Sequence, residues 1–176
     1  MKFRATQKNA VSMFDNPEFI ANIKDEDSTM VKHLNVLKQI NQHGYLTTNS
    51  QAGRKITTNI IIYERAYIIG FMMKKDAIEF IKNMNIETDK NAIQVSINNG
   101  VIDPKLDIPL SIEKIKNKWE VFTHMSPTIP LRILNQERKK LNLDDGVYIF
   151  CWDPKWNRNA SSSSGLFTDV LKILKS

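Results

Sequence analysis

The sequence predicts an α+β fold: a central mixed or antiparallel sheet of about four to six strands, covered by helices. Three observations carry this. Arg65 to Met73 is apolar on both alternating faces, with Ala66, Ile68, Gly70 and Met72 on one and Tyr67, Ile69 and Phe71 on the other. Such a strand belongs in the middle of a sheet. Ala92 to Asn98 alternates, and Val147 to Trp152 is rich in aromatic and β-branched residues, so two more strands are expected there. Around them lie segments whose apolar residues recur at helical spacing.

In chain order, Asn16-Pro17-Glu18 is a helix start: Asn caps, Pro suits the first helical position, and Glu favours the positive end of the dipole. Phe19, Ile20 and Ile23 give that helix one short apolar face. Met30, Leu34, Leu37 and Ile40 predict a longer helix over residues 28–43, closed by Gly44 in the left-handed conformation. Tyr45 to Arg54 is polar and is expected to begin as a short strand and turn into a loop; residues 57–63 read as a strand or a long approach to one. A short helix follows from Lys75 to Met84, facing inward with Ala77, Phe80, Ile81 and Met84. Asn99-Gly100 can turn a hairpin into Val101-Ile102, and the prolines at 104 and 109 make a loop. Ser111 is expected to cap a helix carrying Ile112, Ile115 and Trp119, with a strand from Glu120 to Met125. Pro130 leads into a helix with Ile133, Leu134 and Leu141, and Leu166 to Leu174 closes as a further helix. Asp153 to Gly165, with four serines in a row, is expected to be a mobile loop. No repeat or composition break divides the chain, so residues 1–176 are read as one domain.

With 41% apolar and 9% aromatic residues the chain can bury a core, which excludes disorder of the whole; its single cysteine, Cys151, excludes a disulfide scaffold. The net charge is +6. Lys32, Lys38, Arg54 and Lys55 lie in a stretch without carboxylates, and Lys114, Lys116 and Lys118, then Arg138, Lys139 and Lys140, form further basic groups. A basic face of this kind either meets nucleic-acid phosphates or is simply solvated. Lysines outnumber arginines 19 to 6, and with abundant Ile and Asn this points to an A/T-rich genome. No signal peptide and no membrane-spanning run is read, and a lone Cys suits a reducing compartment, so an intracellular protein is expected.

Fingerprints of known chemistry are missing: no Walker-type phosphate loop, no dinucleotide-binding glycine pattern, no nucleophile elbow. His33, His43 and His124 lack metal-ligand spacing, and Cys151 lies inside an apolar strand as an inert small hydrophobe. No cofactor or metal is expected. The unusual segment is Gly44 to Arg54. Thr47, Thr48, Ser50 and Gln51 offer hydroxyls and an amide, Arg54 a bidentate guanidinium, and Arg65 stands at the start of the central strand. These six residues are the candidate ligand-binding set. The same hydroxyls and amides could instead satisfy the segment's own backbone.

Leu37 to Gly53 (LKQINQHGYLTTNSQAG), followed by Glu64 to Phe71 (ERAYIIGF), resembles an uncharacterised domain family of actinobacteria and of large DNA viruses of amoebae. Gly44, Thr47, Thr48, Ser50, Gln51 and Gly53 carry the likeness, over about a fifth of the chain, and Ala52 stands where the family has proline. The resemblance implies a common site at these residues and, taken with the A/T-rich composition, an amoeba-infecting large DNA virus as source; it implies no activity. Two readings follow. In the first, the chain is a viral accessory or virion-associated protein, in host cytoplasm, nucleus or virion. It acts by binding a host or viral protein or nucleic acid, as a homodimer. In the second, it is an enzyme or binding domain for a phosphorylated small molecule, with residues 47–54 as its site.

Overall fold

The computed structural model describes residues 2–58, 60–87, 94–98, 111–115, 118–123, 136, 139–141, 143, 146–153, 155, 156 and 158–176. The chain opens with helix α1 (Lys2–Met13), which the sequence reading did not anticipate. Helix α2 (Pro17–Asp27) starts where expected: the Asn16 side chain accepts hydrogen bonds from the N–H groups of Glu18 and Phe19.

The long helix expected over 28–43 is two elements. Ser28–His33 is a 3₁₀ helix and only Leu34–Gln42 (α3) is α-helical. The cause is local. The Asp27 carboxylate accepts from the Thr29 N–H at 3.0 Å and from its hydroxyl at 2.6 Å, which tightens the first turn. In a 3₁₀ helix residues three apart eclipse, and Met30 and His33, three apart, are the two buried residues of this one. Leu34, Leu37, Ile40 and Asn41 form the buried stripe of α3. Gly44, at φ +93°, then turns the chain.

Among the described residues eight strands follow: β1 (Leu46–Gln51), β2 (Arg54–Thr57), β3 (Ile61–Glu64), β4 (Tyr67–Met73), β5 (Gln94–Asn98), β6 (Ser111–Ile115), β7 (Lys118–Thr123) and β8 (Gly146–Trp152). Helix α4 (Lys74–Glu87) lies between β4 and β5, and α5 (Leu166–Lys175) follows β8. The central sheet is four-stranded and antiparallel, in the order β1-β4-β8-β5. A second four-stranded sheet, β2-β3-β7-β6, is mixed, because β3 and β7 run parallel. The fold is α+β.

Three expectations are corrected here. Tyr45 to Arg54 does not dissolve into a loop: β1 runs to Gln51 and β2 starts at Arg54. The single strand expected over 57–63 breaks at Thr58, whose N–H and hydroxyl both donate to the Ile60 carbonyl, and the two halves pair as a hairpin. The helix expected from Ser111, with Ile112, Ile115 and Trp119, is instead a pair of strands in which Ile115 lies opposite Lys118. The spacing of those three apolar residues fits a helical turn. The β-branched and aromatic content fits a strand equally, and parallel pairing with β3 decides it. The hairpin at 99–102, the loop over 103–109, His124 and most of the helix after Pro130 lie outside the described residues.

The core has two parts, one on each face of the central sheet. Ile68, Met72, Ile149 and Cys151 meet α3, α4 and α5 through Ile40, Phe80 and Phe167. Tyr67, Ile69, Phe71, Tyr148, Phe150 and Trp152 form the other, against Phe3 and Ala10 of α1. Ile68 and Phe71, 0% and 1% exposed, are thus buried from opposite faces of one strand, as the double apolar alternation predicts. Gly70 in β4 permits the close approach of β1, since a Cβ there would collide with the Leu46 carbonyl.

Candidate functional site

Among the described strands, β1 stands at one edge of the central sheet. Its register to β4 runs Thr47 to Gly70, then Asn49 to Ile69, Ser50 to Ile68 and Gln51 to Tyr67, so Thr48 is the extra residue of a bulge. α3 fixes the near end. The Asn41 amide donates to the Leu37 carbonyl at 2.9 Å and to the Thr47 hydroxyl at 2.8 Å, and its oxygen accepts the Thr47 N–H at 3.0 Å. Asn41 is fully buried and uses both ends of its side chain here. At the far end the Ala52 N–H points at the Met30 sulfur, 3.1 Å away.

Between these anchors a cleft of about 390 Å³ runs along β1. One wall is residues 47–51 of the strand. The other is apolar, from Met13, Phe14, Phe19, Ile23 and Leu34, with Glu26 and Asp27 among the lining residues. The structure therefore brings Thr47, Thr48, Ser50 and Gln51 of the candidate set to one concave surface. The Thr48 hydroxyl makes a long bond to the Ile69 carbonyl, 3.4 Å, and the Asn49 oxygen accepts from the Tyr67 phenol at 3.4 Å. Burial pushes that phenol up to about 12, so it stays protonated.

Arg54 and Arg65 do not join them. Arg54 donates through Nε to Glu64 and lies 2.7 Å through Nη1 from Asp27. The bond to Glu64 raises its pKa, against the opposing effect of burial. Arg65 stacks on Trp156, its guanidinium carbon 3.9 Å from the ring centroid. The Arg65 Nε is buried and has no hydrogen-bond partner among the described residues, and burial lowers its pKa while the charge of Asp153 opposes that. Glu64 and Arg65, adjacent in sequence, thus part: one fastens β3 to β2, the other covers an indole.

Further titratable groups are buried in the fold. His33 is 1% exposed, shares a 2.6 Å hydrogen bond between Nδ1 and the Ser161 hydroxyl, and meets the Phe167 ring edge-on. Burial first, then the charge of Lys32, lowers its pKa, and Asp27 opposes them. Cys151 is fully buried and its thiol is pushed up to about 12 by burial. In residues 153–165, Asp153 is buried against Arg158 and accepts the Lys155 N–H at 2.8 Å, while the Ala160 carbonyl receives the Phe167 N–H at 2.8 Å. Among the described residues no group of three or more His, Cys, Asp or Glu could hold a metal ion, and no helix is long and apolar enough to cross a membrane.

The apolar wall is what the sequence reading missed. The signal was present: Phe3, Ala10 and Phe14 recur at helical spacing, and the apolar face of α2 had no partner assigned. No family model, curated protein or solved structure matches the chain.

Proposed function

We propose that the chain is a binding protein whose cleft between α1, α2, α3 and β1 takes an apolar segment of a partner protein. The observation that supports this reading is the lining: apolar helix side chains on one wall, an edge strand with short polar side chains on the other. It fits the reading of the chain as a viral accessory or virion-associated protein, which rests on the missing catalytic fingerprints and the basic balance. The phosphate-ligand reading finds less support. The cation assigned to it, Arg54, is held by Glu64 and Asp27, and the charged residues that line the cleft are Glu26 and Asp27, which repel a phosphate. A nucleic-acid partner meets the same objection here, and Lys38, one of the expected basic residues, is paired with Asp15.

The test is selection of dodecamer peptides from a random library on the full chain. Enriched peptides should bind Met13→Glu at least about tenfold more weakly, a loss of about 1.4 kcal/mol. Met13 is half-exposed and lines the cleft, so its substitution should leave the melting temperature unchanged. A library that yields no binder, or binders indifferent to Met13→Glu, removes the reading. Nucleoside phosphates that shift the amide resonances of residues 47–51 would favour the small-molecule reading instead.

A further inference from the structure

The backbone of β1 specifies more than a greasy cleft. In an antiparallel ladder, alternate residues turn both N–H and C=O toward the neighbouring strand, and the others turn both away. The Ala52 N–H meets Met30, so it faces away from β4. Counting back along the regular part of the ladder, Ser50 faces away as well. The Thr47 N–H also faces away, toward Asn41, and the bulge at Thr48 is what lets residues 47 and 50 share that orientation. Side chains therefore close the edge at Thr47 and at Ala52. Between them the N–H and C=O of Ser50 stand outward, and Ser50 lines the cleft.

We propose, on the reading that the cleft takes a protein segment, that this segment is extended and adds to β1 as a strand, pairing one residue with Ser50 through two backbone hydrogen bonds. The closed ends limit the paired stretch to about three residues, roughly 10 Å. Its flanking side chains enter the apolar wall at Phe14, Phe19 and Ile23. Charge complementarity names one more feature of the occupant. Glu26 lines the cleft and has no ion pair among the described residues, whereas Asp27 already holds Arg54. The segment carries a lysine or arginine that meets Glu26.

The experiment uses a dodecamer selected as above, resynthesised with a methyl group on each backbone nitrogen in turn. Methylation of one residue should weaken binding about tenfold, the equivalent of one neutral hydrogen bond, while its immediate neighbours are insensitive. In the complex, hydrogen exchange at the Ser50 amide should slow by at least about tenfold. Glu26→Gln should weaken the basic peptide and leave its Lys→norleucine version unchanged. If the peptide binds in a Met13-dependent way but the methylation scan is flat and Ser50 exchange is unaltered, strand addition is wrong and the cleft reads side chains alone. If no peptide is selected, the cleft reading falls with it. A Ser50 amide protected without peptide, in proportion to protein concentration, would identify a second copy of the chain as occupant and overturn the proposal.

Discussion

Arg54 shows how a side chain's chemistry can be legible while its role is not. Its density of polar neighbours in the sequence marks it as a ligand donor, yet in the fold two carboxylates already hold it, one of them from the far end of α2. No spacing in the chain announces that Asp27 reaches it. Its substitution should therefore be felt as stability. Arg54→Ala should cost about 1–2 kcal/mol in chemical denaturation, because Glu64 is left half-buried and unpaired. Arg54→Lys should recover less than half, since an ammonium cannot bridge two carboxylates as a planar fork does. His33 gives a second residue-level prediction. Burial holds its folded pKa below the ordinary histidine value of about 6.5, so the native state favours the neutral ring. The unfolded chain takes up the proton first, and stability falls as pH drops below about 6.5, levelling off once the folded pKa is passed. Denaturation midpoints measured from pH 7.5 down to 5.5 should show that slope, and His33→Gln should flatten it.

At the scale of elements, β4 was the most legible because it is buried on both faces and so carries no polar alternation to mislead. Phe71→Ala should cost about 3–5 kcal/mol by denaturation. A melting temperature within a degree or two of the parent would show that the strand is not central. Gly70→Ala tests a different point: the new methyl group meets the Leu46 carbonyl, so β1 must lift from β4. Loss of slow amide exchange should then be confined to β1 and its neighbours, if the rest of the sheet survives. The elements that were misread share a cause. Residues 28–33 and 111–123 are short segments whose apolar positions suit more than one period, and residues 57–63 are strand-like throughout, with nothing apolar to mark the break. A side-chain cap at Asp27, a turn at Thr58 and pairing with β3 decide them, and each is a contact rather than a propensity. α1 was missed because the apolar residues that recur at helical spacing, Phe3, Ala10 and Phe14, stand far apart among polar ones. The candidate site was therefore half legible: the polar strand announced itself, and the apolar wall it faces did not.

For the whole molecule, Cys151 is a natural reporter. It sits on β8, in the interior of the central sheet, fully buried with a thiol pushed up to about 12. Reaction with a disulfide reagent at neutral pH should be absent from the native state and should proceed at the rate of opening of the central sheet. Fast labelling in the intact protein would mean that the two halves of the core part readily. Asp27 has a consequence at the same scale. It holds the first turn of the 3₁₀ helix through Thr29, it lines the cleft, and it fastens Arg54 at the start of β2. One carboxylate thus belongs to three neighbourhoods at once. Whatever draws on it in the cleft must loosen its grip on the second sheet, and by thermodynamic reciprocity whatever strains that sheet changes what the cleft will hold.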